Sequence, residues 1–427
     1  MRRILLFLVL FTPAALQAQT PCSELPFIRG LRVFGGDRED NLPVILQADT
    51  SRASAETFLP TYITIRFDVH ERMPPRLVIR FHHCDKDWNI DTDYFVRDDF
   101  FTYSRELLYE GAPTGADHFL WRFENRFPSE EHSFVRFLYS GNWIFDIVDE
   151  RDQESIYASG RFIVVENRVR AGLSIRNDYW TDWDSPYDQV HRLDLDIAVK
   201  DQKLFPDYVR TVDFYKNFNL FEQYRVDSYD RRDNTFVEGI GLKEKTFTYR
   251  NVPPGNGYRF YDLRSPSIYA EKAILTKFEG PDFTRFRFSA DASRYHGSSV
   301  TTPLNSFDTD YLCVQFELEH PEIDGRDVFV AGLFNQWDPQ ATDQLEYDKD
   351  IGHYIGRRWL LRGAYDYQYV LGTYDEELGY VANQDWIALA GNTWAANNLY
   401  WVIVYYDDDE FGGVTRAVGF AAAVAGR

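Results

Sequence analysis

"YITIRFDV", Tyr62 to Val69, alternates strictly between apolar and polar residues. In an extended chain Ile63, Ile65, Phe67 and Val69 fall on one face, and Thr64, Arg66 and Asp68 on the other. That period predicts a strand with one buried face and one wet face. "NWIFDIV" repeats the pattern with Trp143, Phe145 and Ile147, and "YDYQYVL" repeats it with Tyr365, Tyr367, Tyr369 and Leu371. Such runs recur roughly every ten residues, with Gly, Pro, Asn or Asp between them. The fold class expected is all-β: tandem immunoglobulin-like or early-set β-sandwich domains with few short helices. "RDDFFTYSRELLYEG" (Arg97 to Gly111) is the one stretch with room for a short helix.

Composition agrees. Aromatic residues make up 17% of the chain, led by 34 Phe and 28 Tyr. These suit pleated, half-buried surfaces. A length of 427 residues suggests two to four domains. Residues 1–18 read as a signal peptide, with Arg2 and Arg3, an apolar run from Ile4 to Phe11, and Ala18 before the cleavage point. No apolar run approaches the ~20 residues of a spanning helix. "QTPC" before Cys22 lacks the Leu and small residues of a lipidation site. Three further units are expected: 19–166, ending on "GRFIVVE"; a middle β domain, 167–305; and an early-set-like sandwich, 310–427. "GSSVTTPLNSFDTD" (Gly297 to Asp310) reads as the linker between the last two.

The formal net charge is −21, or −23 without the two signal arginines. That repels phosphate backbones, so nucleic acid is a poor candidate partner and none is expected. It also disfavours simple attraction to anionic headgroups. Cys22, Cys84 and Cys313 allow one disulfide and leave one thiol, and the pairing stays open. Their spacing excludes a cysteine-rich zinc site.

No catalytic constellation emerges. The chain has no Gly-x-Ser-x-Gly elbow, no His-Glu-x-x-His helix and no phosphate loop. Acidic residues are too common for any pair to stand out as glycosidase carboxylates. In "HHCDKDWNIDTD" (His82 to Asp93), Asp85, Asp87, Asn89, Asp91 and Asp93 alternate as in a calcium loop. The template fails at Ile90, where Gly is needed, and at Val96, where Glu is needed. A strand ending in an Asx-rich turn, with Trp88 folded inward, fits better. No metal, cofactor or small-molecule ligand is expected. "VAGLFNQWD" (Val330 to Asp338) poses a separate choice: Trp337 is either a sugar platform or the plug under a turn.

"VFVAGLFNQWD" with "GAYDYQYVL" resembles the early-set modules found beside starch- and glycogen-active enzymes, where the turn Trp packs the sandwich. The chain as a whole resembles the plug proteins of the type IX secretion system. The resemblance rests on "IRGLRVFGGDREDNLPVILQ", "YITIRFDV", "FHHCDKDWN" and "SGNWIFDIVDERDQESIYASGRFIVVENRV". It continues through "DVFVAGLFNQW", "GAYDYQYV" and "NNLYWVIVYY". It implies a non-enzymatic periplasmic subunit, peripheral to the inner face of the outer membrane. Its partner would be a giant outer-membrane β-barrel translocon, whose periplasmic opening it closes when no substrate is in transit. The alternatives are a carbohydrate-binding protein using Trp337 and a glycoside hydrolase fragment. Binding residues concentrate on turns. Asp85, Asp87, Asp91 and Asp93, with Asp407, Asp408 and Asp409, are therefore the interface candidates.

Overall fold

In the computed structural model, "YITIRFDV" is a strand at Ile63–Val69, but both of its faces are buried. The described residues are 22, 24–47, 59–92, 101–180, 188–270, 274–285, 295–377, 379–408 and 413–425. Among them the structure is β throughout, with three short 3-10 turns and no α-helix.

The first sandwich holds β1 (Arg29–Gly35), β2 (Val44–Leu46), β3 (Ile63–Val69), β4 (Leu77–Cys84), β5 (Tyr109–Gly111), β6 (Trp121–Phe127), β7 (Gly141–Asp149) and β8 (Ile156–Val165). Its sheets run β1-β3-β6-β5 and β2-β8-β7-β4. The alternating residues named above meet between them, with Ile65 and Phe67 facing Phe81, Phe145 and Phe162. The expected helix is absent from residues 101–111; residues 97–100 lie outside the described set. Phe81 and Ser104 instead donate backbone hydrogen bonds to Thr102 and Ile79, so this stretch runs along the edge of β4. Its apolar residues serve an extended edge rather than a helical stripe.

The middle sandwich begins with β9 (Val169–Tyr179), β10 (Gln189–Val199), β11 (Thr211–Lys216), β12 (Gln223–Asp227), β13 (Thr235–Glu238) and β14 (Glu244–Val252). The next nine strands make another unit: β15 (Arg259–Asp262), β16 (Asp282–Phe283), β17 (Ser299–Thr301), β18 (Tyr311–Glu319), β19 (Asp327–Gly332), β20 (Gln344–Asp348), β21 (His353–Leu361), β22 (Gly363–Asp375) and β23 (Tyr380–Asp385). Two long strands close the chain, β24 (Leu399–Asp408) and β25 (Val414–Val424).

Those last two do not join the third unit. The middle sandwich pairs a β13-β14-β10-β9 sheet with a β12-β11-β24-β25 sheet, and Val402 and Val404 sit in its core. Conversely β15 and β17 pair with β22, in the third unit. The third sandwich is thus inserted into the middle one, and the division at 305–310 departs from the strand pairing. The segment read as a linker is buried at Ser298, Ser299, Thr301, Thr309 and Asp310. Several of its hydroxyls bond inside the protein, Thr309 to the Pro303 carbonyl at 2.7 Å and Thr302 to the Arg362 carbonyl at 3.0 Å.

His191, fully buried in the middle sandwich, shares a hydrogen bond between Nδ1 and the Tyr400 hydroxyl, 2.9 Å away. Burial, helped by the Lys216 charge, pushes its pKa down to about 4. The unfolded chain binds that proton already below about 6.5. Stability is therefore complete above about 6.5 and drains away as pH falls towards 4. The loss is about 3 kcal/mol by the free energy of such a displacement. Urea unfolding at about pH 7 and about pH 4 should show wild type losing more than His191→Gln by that amount. Equal acid losses would remove His191 as the cause.

Candidate functional site: the charged seams and the cleft between sandwiches

The polar face of β3 is the first seam. Asp68 accepts two hydrogen bonds from Arg122, at 2.7 and 2.8 Å, and a third from the Tyr311 hydroxyl of β18 at 2.9 Å. Beside it, Glu39 holds Arg66 at 2.7 Å and Arg32 at 3.3 Å, and accepts from the Thr301 amide at 3.0 Å. Burial alone would raise the Glu39 pKa. The Arg32 and Arg66 guanidiniums, with hydrogen bonds from Arg66 and Thr301, outweigh it and hold the carboxyl below its usual range. Asp310 completes the seam by accepting from the amides of Asp117 and His118, both at 3.0 Å. Three carboxylates, buried Asp68 and Asp310 and half-buried Glu39, thus tie the first sandwich to the third.

A second seam joins the first sandwich to the middle one, and of the acidic candidates Asp87 and Asp407 take part in it. Asp87 pairs with Arg225, which also grips buried Asp213 at 2.7 and 2.8 Å and donates to the Lys86 carbonyl at 2.7 Å. Asp407 pairs with Arg210 and lies 3.6 Å from Lys86. Asp91 meets His83 at 2.5 Å. Asp85 accepts from the amides of Asp87 and Asn89, at 2.8 and 2.9 Å, which shapes the turn. Asp93 and Asp409 lie outside the described residues, and Asp408 is described only as the backbone partner of Val414. Trp88 packs inward among Tyr215, Trp401 and Tyr405, as an Asx-rich turn over a core implies. Glu166 strengthens the same seam, accepting from Arg416 and from the Ser140 hydroxyl, both at 2.7 Å.

Trp337 is corrected as a sugar platform. It is 1% exposed, and a stacking platform needs an open ring face. Its ring sits 4.5 Å from Tyr258, centroid to centroid, and its Nε1 donates to the Gly297 carbonyl at 2.8 Å. Gln336 and Trp337 both take left-handed backbone, with φ of 55° and 62°, and this turns the indole under the loop. The ring thereby helps seal the junction of the middle and third sandwiches.

Cys22 pairs with Cys313, linking the N-terminal segment to β18. Cys84 is left over; burial pushes its thiol up to about 12, so it is inert at neutral pH. Among the described residues no group of three or more His, Cys, Asp or Glu is arranged to hold a metal ion. No helix among them is long and apolar enough to cross a membrane.

Residues 43–166 match the first domain of the type 9 secretion system plug proteins. That domain match supports the type IX secretion plug family. The match takes in "YITIRFDV", "FHHCDKDWN" and "GNWIFDIV", hence β3, the acidic turn and β7. No curated protein matches the chain. A solved hypothetical protein from Parabacteroides merdae is 18% identical to this chain, over 95% of this chain and 100% of that one, with a TM-score of 0.76. That likeness concerns the fold. The domain match suggests a role in type IX secretion.

The residues that organise both seams were missed in the sequence. Glu39, Asp68, Asp213 and Arg225 are ordinary charges on alternating strands or turns, where solvation is the default reading. The one available signal was density: "RVFGGDRED" and "TIRFDV" place several opposite charges on short strands.

Proposed function

We propose that the chain closes the periplasmic opening of the giant outer-membrane β-barrel translocon of type IX secretion while no substrate is in transit. It does so without chemistry, as a solid body. The observation that carries this reading is the pair of charged seams. A stopper must not shear when a pore's contents press on it, and bridged sandwiches resist relative sliding better than sandwiches joined by bare linkers. The plug-domain match over residues 43–166 supports the partner, and the leader-like residues 1–18 support a periplasmic location at the inner face of the outer membrane.

Affinity purification of a tagged copy from outer membranes of its host tests the proposal. Recovery of one very large barrel protein in near-equal amount is expected. Recovery of the chain alone, with retention on glucan beads, would overturn it. Within the acidic turn, Asp85 has no cationic partner among the described residues, so its charge is available to a partner. Asp85→Asn keeps the turn's acceptor and deletes the charge. Weakened barrel capture is the expected result; unchanged capture removes the turn from the contact.

A further inference from the structure

A cleft of about 850 Å³ lies between the first and third sandwiches. That is towards the upper end of the ~300–1,000 Å³ usual for ligand sites, and a domain boundary is a usual place for one. Its walls are strand edges. Tyr157 to Arg161 of β8 line it consecutively, as do Arg29 to Arg32 of β1 and Arg358 to Leu361 of β21. Consecutive lining means that backbone, and not one side-chain face, looks into the space.

The β8 edge is open there. β7 pairs with β8 along one side, while β2 covers only Ile163, Val164 and Val165 on the other. The Ile163 amide donates to the Pro43 carbonyl, on the β2 side. The Ser159 carbonyl accepts from Gln336 Nε2, across the cleft, at 3.1 Å. In an antiparallel ladder, alternate residues turn both backbone groups to the same side. Ser159 and Arg161 therefore present their amides and carbonyls to the cleft, in line with Ile163. Of this row, one carbonyl has a side-chain partner. The facing strand β21 is similarly half covered, since β20 pairs with it only at His353, Tyr354 and Ile355.

The charge of the cleft runs against that of the molecule. Arg29, Arg32, Arg161 and Arg358 line it, against Glu24 and Asp338, in a chain of net charge −21. Arg32 and Arg358 have carboxylates behind them, Glu39 and Asp343. Among the described residues no carboxylate lies within 4 Å of Arg161, although Asp338 is near enough to favour its charge. Its guanidinium is clamped between the Trp88 and Phe221 rings, 4.9 and 4.1 Å from their centroids. Two aromatic faces hold it in place, and its hydrogen-bond donors remain for an acceptor in the cleft.

We propose that this cleft binds an extended acidic peptide segment, which adds as a strand to the β8 edge and places a carboxylate on Arg161. A row of backbone groups with a fixed spacing is met by another strand, and alternate side chains supply the selectivity. Gln336 holds the Ser159 carbonyl in the meantime and must let go for the strand to enter. The inference goes beyond the plug reading and stands whether or not that reading holds.

The test uses the full chain and a synthetic peptide of about six residues alternating Glu with Val, a common length for a paired strand. A Lys/Val peptide is the control. Fluorescence anisotropy should show binding of the Glu peptide and at least about tenfold weaker binding of the Lys peptide, given the strength of close charge pairs. Arg161→Glu should reverse that preference. Hydrogen exchange on the wild-type protein should show new protection at the Ser159 and Arg161 amides. Equal binding of both peptides, or protection that avoids these amides, would overturn the proposal. The exchange measurement needs no variant, so it decides the matter even if Arg161→Glu folds poorly.

Discussion

Asp68→Ala is expected to destabilise the protein by about 3–5 kcal/mol, the cost of stranding one half of a buried ion pair. Asp68 and Arg122 are 2% and 3% exposed, and Tyr311 adds its hydroxyl from the third sandwich. Without the carboxylate, a guanidinium is left in the seam with no charge to meet it, and a buried hydroxyl loses its acceptor. The damage should be local to the joint. Hydrogen exchange should quicken along β1, β3 and β18 before it quickens in the middle sandwich. The informative control removes the whole set: Asp68→Leu with Arg122→Met and Tyr311→Phe. An apolar replacement of similar volume is often neutral or better where single removal is severe. Recovery of most of the lost stability would confirm that stranded charge is the cause. A single variant that melts like wild type would show that the seam does not need this pair.

If the triple variant is stable, it also probes the proposed function. Apolar seams can hold sandwiches together as well as charged ones, so barrel capture should persist. The seam matters as mechanical continuity, and Asp68 is not proposed as a contact with the barrel.

How far the sequence led depends on the range of the interactions. Strand identity is local. β3, β7 and β22 lie where "YITIRFDV", "NWIFDIV" and "YDYQYVL" alternate, because period 2 is set by the strand's own geometry. Pairing is not local. Leu399 to Val424 follow the third unit in sequence, yet Ile403 lies opposite Asp213, far back in the chain. Alternation says that a strand has two faces, and it is silent on which sheet accepts it. The same gap hid the seams. Thr64, Arg66 and Asp68 read as a wet face because their partners, Glu39, Arg122 and Thr301, are scattered along the sequence. Ser298 to Thr301 read as a linker because small polar residues buried in a fold look, in sequence, like small polar residues in water. Trp337 was legible in kind, since a Gly-Leu-Phe-Asn-Gln-Trp turn suits an indole tucked beneath it. Arg161 carried no signal at all. Its place between two rings, without a direct ion pair, appears only when β8, the Trp88 turn and Phe221 are brought together.

The largest single effect should come from the Cys22–Cys313 disulfide. The two residues are 291 apart in sequence, so the crosslink closes most of the chain into one loop. Chain entropy for a loop of that length gives a stabilisation of about 6 kcal/mol, just above the observed range. Its structural reach is shorter and more specific. Cys313 lies opposite Trp359 in the β18–β21 register, and Trp359 lines the cleft. Residues 24–32, which form another wall, begin just after Cys22. Cutting the bond therefore loosens the unfolded state's constraint and also releases one wall of the cleft. Cys22→Ser with Cys313→Ser should lower the denaturation midpoint markedly, and reductant should do the same to wild type while leaving the double variant unchanged. Cys84 offers no substitute partner, being buried in the first sandwich. Loss of protection should centre on β1 and β18. A double variant as stable as wild type would mean that the Asp68, Glu39 and Asp310 contacts already hold the N-terminal segment, and that the crosslink duplicates them.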